Sequence, residues 1–393
     1  LNGELSESDN KPRLFTTVGG QYREHMSYSE AARWLLYLNA YDDSSSKPSV
    51  RGANMASSGV GWLGKIGFVY VRGNNLFETL MLNLVLADEN GRPFPDGKAA
   101  WELIQPRTEE RAVVPLPSSP LEMLTLQSRR ILLKRDDEGV IGYRLLGGDI
   151  VPRENAFTEQ MTAWKFNEDN QWVPRLHDPS RVMWRDYSSL LVKSGSDDGH
   201  YREPGVVMWV SNLADDNYLP YGKITIAIAG VKYVSKGSSV DDLVQDYLSL
   251  NSSLLSAVGD SWSYRIGLGI EKTDLTVKVL SAFVKNLMKI CGSGDDNISA
   301  ISGNVRAEAY YELDQPFRRW LSSVDPEKDD LETKMNEWMA IAERTVLESG
   351  KKLLQNSGEK AFVGKDMKNN SLVAYRKFRA GVFKVTREGE VND

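Results

Sequence analysis

The chain has 393 residues, 41% of them hydrophobic and 26% charged, with a formal net charge of −6. That length and composition suit two or three domains with real cores, and the lack of an eighteen-residue apolar run or a basic-apolar leader argues against membrane spanning and secretion. One cysteine, Cys291, excludes an internal disulfide and a cysteine metal site within one chain, the acidic total argues against bulk coating of nucleic acid, and a cytoplasmic setting is expected.

Met26–Ala40 reads as a helix capped by Ser27 or Ser29, with Ala31, Trp34, Leu35 and Leu38 at helical spacing. Next comes a basic, small-residue, exposed loop from Lys47 to Gly59, which contains Gly52, Ala53, Asn54, Ser57 and Ser58. Small residues let the backbone approach a partner closely, and free N–H groups can donate to phosphates or minor-groove acceptors. A flexible surface loop with no partner is the other reading.

The segment GVGWLG (Gly59–Gly64) spells a dinucleotide-binding loop, but its context is wrong. Such a loop follows a buried strand and opens a helix, because the pyrophosphate sits on a helix N-terminus. Here a polar segment precedes it and a strand, Ile66–Val71, follows. Helical spacing begins later, with Leu76, Phe77, Leu80, Met81 and Leu84 on one face and Asn74 or Asn75 as cap.

Arg92–Pro120 reads as an extended surface loop, and Gln127–Leu133, Val140–Leu146 and Ile150–Arg153 as strands of a meander. Trp164–Phe166 and Trp172–Pro174 form a hairpin around EDNQ, while His177 reads as a turn histidine bonded to Asp178 or to backbone. Gly195–Pro204 and Lys236–Ser239 are polar loops, and Lys223–Ala229 is a buried strand ending at Gly230. The loop Gly230–Gly237 is therefore held at one end and offers Lys232, Tyr233, Ser235 and Lys236. Asp215-Asp216 and Asp241-Asp242 read as caps of helices or turns.

From about Leu268 the pattern is helical. Leu275–Cys291 carries one apolar stripe that includes Cys291, and Ile298–Val324 is a second helix, kinked or broken at Pro316. Pro326 opens a third that ends near Leu354, and Asn369-Asn370-Ser371 caps a fourth. The reading is thus an α+β domain over 1–265, with nucleic-acid-facing loops, followed by an all-α four-helix bundle over 266–393. The stretch Lys360–Arg387 is basic and interleaved with aromatics, including Lys368, Arg376, Lys377 and Arg379, while Asp325–Glu348 is acidic. Two neighbouring helices with complementary solvated faces would explain this; so would a basic face reserved for phosphates. The three histidines have no ligand spacing, and no metal, Walker, kinase or nucleophile-elbow motif occurs, so no cofactor or metal and no catalytic residue is expected.

Four segments in one order resemble a known family: MSYSEAARWLLYLNAYD (Met26–Asp42), the glycine-rich approach to VRGNNLFETLMLNLV, LEMLTLQSRRILL (Leu121–Leu133), and MTAWKF…VPRLHDPSRVMWRDYSSLL (Met161–Leu191). The chain is similar to CasA, the large subunit of the type I-E CRISPR Cascade complex. The resemblance implies a non-catalytic subunit that senses the protospacer-adjacent motif, opens the duplex for guide RNA and docks a nuclease-helicase. Its partners would be target DNA, CRISPR RNA and the other Cascade subunits. By order, the motif-sensing loop falls on Gly52–Ser58 and the wedge loop on Gly230–Gly237, with Ser235 or Lys236 nearest the wedge position. Phe15, Thr16 and Thr17 fall where the family contacts the RNA handle, and Phe15 would either stack on a base or pack in a core. The displaced strand would follow the basic helix. The chain lacks the denser glycine run and the wedge glutamine of the family pattern, and the resemblance implies a further N-terminal part before Leu1. Assembly predicts exposed apolar patches on the bundle or on Arg92–Pro120, and weak DNA binding by the free chain. The competing reading is an enzyme of unknown chemistry with an appended helical bundle, which needs perturbed acids and bases gathered in a pocket.

Overall fold

A computed structural model describes residues 25–45, 47–48, 59–104, 114–191, 201–219, 222–364 and 366–387. These fall into two compact units. One lies within residues 1–181, 198–209 and 227–246, the other within 182–197, 210–226 and 247–393.

Among the described residues the first helix is α1 (Tyr28–Tyr41), whose N-cap Ser27 accepts the Glu30 N–H. Its inner face buries Ala31 and Leu38 with Val140, Trp34 and Ile131. Past Gly59 the chain makes a short 3-10 turn, Trp62–Lys65, and enters β1 (Phe68–Arg72). The glycines of GVGWLG serve close packing: a Cβ on Gly61 would lie 2.5 Å from the Ala40 carbonyl carbon, and one on Gly64 would lie 2.6 Å from the Tyr233 hydroxyl. In α2 (Leu76–Leu82), Asn75 accepts the Glu78 N–H at 2.9 Å, and the Asn83 side chain bonds both backbone groups of Val71. The apolar face of α2 stays exposed, Leu76 at 73% and Phe77 at 70%.

Arg92–Pro120 includes a 3-10 turn at Ala100–Glu102, and α3 (Pro120–Leu124) follows it. Then β2 (Arg129–Arg135) pairs antiparallel with β3 (Val140–Gly147), Arg129 opposite Gly147. The third meander strand expected at Ile150–Arg153 does not form. Val151 turns into a core with Trp62, Ile66 and Trp164, and Pro152 has no N–H to give a ladder. β4 (Trp164–Phe166) and β5 (Trp172–Pro174) make the predicted hairpin. β6 (Tyr201–Arg202), in a segment expected to be a polar loop, pairs on the other side of β4.

β7 (Lys223–Tyr233) and β8 (Val240–Asn251) complete a second three-stranded sheet in the order β1-β7-β8. The strand predicted to end at Gly230 runs through it to Tyr233. Asp241 and Asp242, expected as caps, lie exposed on β8.

In the second unit a 3-10 turn, Met183–Asp186, leads into α4 (Tyr187–Leu191), and α5 (Gly205–Asp215) contributes its C-terminal part. Asp215 ends α5 instead of opening a helix, and its side chain accepts the Ala257 N–H at 3.0 Å, a bond to a distant turn and not the local cap expected of it. The C-terminal region is helical: α6 (Asp260–Ile290), α7 (Asp295–Leu321), α8 (Leu331–Gln355), α9 (Gly358–Val363) and α10 (Ser371–Arg387). α6 packs against α7, α8 and α10, and α8 packs against α7 and α10. α7 continues through Pro316 unbroken. α8 starts later than expected because Asp330, not Pro326, caps it, accepting the Thr333 N–H at 2.9 Å. Cys291 is the half-buried C-cap of α6 rather than part of its buried stripe.

The core of this unit is aromatic. Trp184 stacks on Phe317 at 4.7 Å, and Trp338 meets both rings edge-on. Beside them Arg185 grips Asp274 with two bonds of 3.0 Å and lies 3.7 Å over the Tyr310 ring. No described helix is long and apolar enough to cross a membrane.

Candidate nucleic-acid interface

The site is built around an arginine in a strand. Arg129 points inward from β2 with its side chain fully buried, and its Nε donates to Asp42 Oδ2 at 2.5 Å. Nη1 donates to the Ser128 carbonyl, and Nη2 to the carbonyls of Asp43 and Gly59, each at 2.7 Å. Asp43 precedes the first candidate loop and Gly59 closes it, so one guanidinium holds both ends. The Gly61 N–H adds a bond to the Asp42 carbonyl at 2.9 Å. Lys47, expected to be an exposed cation, is buried and paired with Asp42 and Asp43 at 3.0 and 3.4 Å. It serves the base of the loop and is not presented to solvent. Gly52, Ala53, Asn54, Ser57 and Ser58 lie outside the described residues, as do Phe15, Thr16 and Thr17.

The second candidate loop is the tip of the β7–β8 hairpin, closed by the Val234 N–H on the Ser239 carbonyl at 3.0 Å. It touches the base of the first loop at three points. The Ser44 N–H donates to the Gly237 carbonyl at 2.8 Å, the Ser44 hydroxyl donates to the Lys236 carbonyl, and the Tyr233 hydroxyl donates to the Tyr41 carbonyl at 2.6 Å. Burial, then the neighbouring Tyr37 and Asp42, raise the Tyr233 pKa and keep that donor protonated. Its ring covers Gly64, so it is not offered for stacking. The two loops proposed separately from sequence thus share one foundation.

Individual residues of the hairpin differ in availability. Gly230 sits mid-strand with His177 beside it, and His177 Nε2 bonds the Phe68 carbonyl at 3.1 Å. Lys232 is half-exposed and forms a cross-strand pair with Asp241 at 3.0 Å, which raises its pKa. Ser235 opens the tip turn. Lys236 is exposed in the left-handed region (φ 65°), followed by Gly237 at φ 72°. Among the described residues no carboxylate lies within 4 Å of the Lys236 ammonium.

In the second unit, Lys368, Arg376, Lys377 and Arg379 are exposed, and among the described residues none has a carboxylate within 4 Å. The acidic stretch meets α10 through Glu343, which pairs with Arg387 at 3.1 Å and accepts the Thr386 hydroxyl. Other acids are engaged elsewhere: Asp325 by Lys328, Glu332 by Arg265, Glu337 by Lys334.

A catalytic reading would need coupled acids and bases in one pocket. An apolar groove of about 340 Å³ lined by Leu84, Phe94, Leu121 and Leu124 reaches the fully buried Glu159, whose pKa burial raises. Its oxygens are engaged by Trp62 Nε1 at 2.6 Å and the Met161 N–H at 2.8 Å. Among the described residues no group of His, Cys, Asp and Glu is placed to hold a metal.

The residues that organise the site, Arg129, Asp42 and Ser44, were not picked out from sequence. The available signals were an Arg-Arg pair at the head of an apolar strand and Asp-Asp immediately after a helix.

The model of the family described as CRISPR-associated protein Cse1 matches residues 1–349. Among solved structures, Cse1 from Thermobifida fusca superposes with a TM-score of 0.81 at 29% identity, over 94% of this chain and 73% of that one. The CRISPR-associated protein Cse1 from Acidimicrobium ferrooxidans gives 0.75 at 23% identity over 93% and 73%. A chain of a CRISPR RNA-guided surveillance complex gives 0.57 at 17% identity over 91% and 69%, a likeness of fold alone. No curated protein matches the chain.

Proposed function

Because the chain belongs to the family of the CRISPR-associated protein Cse1, we propose that it is the non-catalytic large subunit of a type I-E Cascade complex. It acts in the cytoplasm, without a cofactor, with CRISPR RNA and the other Cascade subunits as partners. Its task is to sense the protospacer-adjacent motif in duplex DNA, help open the duplex for guide RNA and recruit the nuclease-helicase. In such systems protein reads a short motif and base pairing reads the rest.

The observation that supports this reading best is the joint between the two loops at Ser44 and Gly237. A minor-groove reader needs small backbone-rich groups and a cation held in fixed relation, because that groove offers few and degenerate acceptors. The tip supplies Lys236 and the backbone of Ser235, while Gly52, Ala53, Asn54, Ser57 and Ser58 belong to the segment that Arg129 holds at both ends. Lys232, paired with Asp241, must exchange a carboxylate for a phosphate to take part. Phe15, Thr16 and Thr17 contact the RNA handle. Residues 266–393 form a four-helix bundle appended to the α+β domain of residues 1–265, and its Lys368, Arg376, Lys377 and Arg379 guide the displaced strand. The exposed apolar face of α2, with Trp101 and Ile104 on the following loop, suits contact with neighbouring subunits.

The test is target binding by reconstituted Cascade carrying wild-type chain or a Lys232, Ser235 and Lys236 triple alanine variant, at fixed salt, on duplexes with and without the motif. Motif-dependent binding that collapses in the variant is expected. Motif-independent binding by both would overturn the reading.

A further inference from the structure

We propose that Lys65 and Arg153, at the foot of the first loop, form a binding site for a backbone phosphate of duplex DNA; this deepens the motif-sensing reading and rests on it.

Lys65 ends the Trp62–Lys65 turn, and its Cε lies 3.8 Å from the position of a Cβ on Gly59, the residue Arg129 holds. Its ammonium makes one long bond, 3.4 Å, to the Val151 carbonyl. Among the described residues no carboxylate lies within 4 Å of it. The charges that act on it are chiefly Arg129 and Arg153, with Glu154 a weaker opposing influence. Burial first, then those two guanidiniums, bring its pKa down to about 8.

A half-buried ammonium among cations is costly unless an anion joins it. Arg129 is committed to Asp42 and three carbonyls. Arg153 adds to the positive field but is free to donate to an anion shared with Lys65. Its side chain is 47% exposed and holds Glu154 only at 3.5 Å. A fork and a point charge together suit an oxyanion that accepts from several directions. The site lies beside Gly59, the residue that closes the loop proposed to meet the groove, so a phosphate bound here would fix the register of the duplex without reading sequence.

Cascade reconstituted with wild type, Lys65→Met or Lys65→Arg would be titrated with motif duplex over a range of salt. Lys65→Met is expected to weaken binding roughly 3- to 10-fold and to lower the log–log salt slope by about one, as for one lost phosphate contact, with Lys65→Arg retaining both. Unchanged affinity and slope in Lys65→Met, with motif-dependent wild-type binding, would overturn the site and leave the motif-sensing reading intact. Absence of motif-dependent binding by wild type would overturn that reading instead. A second readout is independent of folding in the variants: the Lys65 ammonium of wild-type chain, titrated by NMR with inorganic phosphate. A rise in its pKa supports the site, and no movement at saturating phosphate overturns it.

Discussion

The backbone N–H of Ser44 donates to the carbonyl of Gly237 at 2.8 Å, and this bond joins two loops far apart in the chain. It depends on Gly237 having no side chain. At φ 72° a Cβ would come within 2.9 Å of Val60 and 3.1 Å of the Ser44 hydroxyl. Gly237→Ala is therefore expected to lose about 1–3 kcal/mol in denaturant unfolding, from left-handed strain and crowding together. Ser44→Ala, which removes only the hydroxyl bond to Lys236, is expected to lose about 0.5–1.5 kcal/mol. If motif-dependent binding by the assembled complex survives Gly237→Ala at full strength, the joint has no part in recognition.

Arg129 is the deeper dependency. Its removal leaves Asp42 buried with Lys47 alone and frees two carbonyls at the ends of the first loop. Arg129→Met is expected to cost about 3–5 kcal/mol of stability, as when one partner of a buried ion pair is deleted. Adding Asp42→Leu should recover part of that loss, because the stranded carboxylate goes too. Limited proteolysis offers a local check: cleavage between Asp43 and Gly59 should accelerate in Arg129→Met more than cleavage in the helical region.

Much of this architecture is legible in the sequence because it follows from local rules. Ser27 and Asn75 cap helices where their side chains can reach the third N–H, and the Trp164–Pro174 hairpin follows from alternation around a turn. The errors arise where tertiary pairing overrides local pattern. Gly230 reads as a terminus yet lies inside β7, because β1 and β8 flank that strand. Lys47 reads as a free cation because nothing local reveals two aspartates waiting for it. The joining of the two loops depends on contacts such as Tyr233 to Tyr41, at a separation no sequence window spans.

The cations of α10 should divide by partner. Arg376 and Lys377 are exposed, and changing both to alanine should leave stability within about 0.5 kcal/mol while lowering the salt slope of target binding by about two. Arg387 is engaged by Glu343 and lies 4.5 Å over the Phe383 ring. Arg387→Ala should instead lose up to about 1 kcal/mol in unfolding with little change in slope. Equal slopes for the double variant and wild type would remove the helix from the path of the displaced strand.

Lys65 gives a prediction with a definite pH signature. Its folded-state pKa of about 8 lies below the ordinary 10.5, so below pH 8 both folded and unfolded chains hold the proton and the folded state bears the full penalty. Between pH 8 and 10.5 the unfolded chain keeps a proton that the folded chain has released, and stability rises with pH across that window. Lys65→Met removes the group while keeping an apolar stem against Gly59. Discounted for partial exposure, it should stabilise the chain by about 1–2 kcal/mol at pH 7, a gain that shrinks as pH climbs through 8 toward 10. Chemical denaturation at pH 7 and pH 9.5 measures this. A gain of the same size at both values would mean that packing, not charge, set the difference. If Lys65→Met stabilises the chain and weakens DNA binding together, the chain retains a destabilising charge at the place where a phosphate would neutralise it.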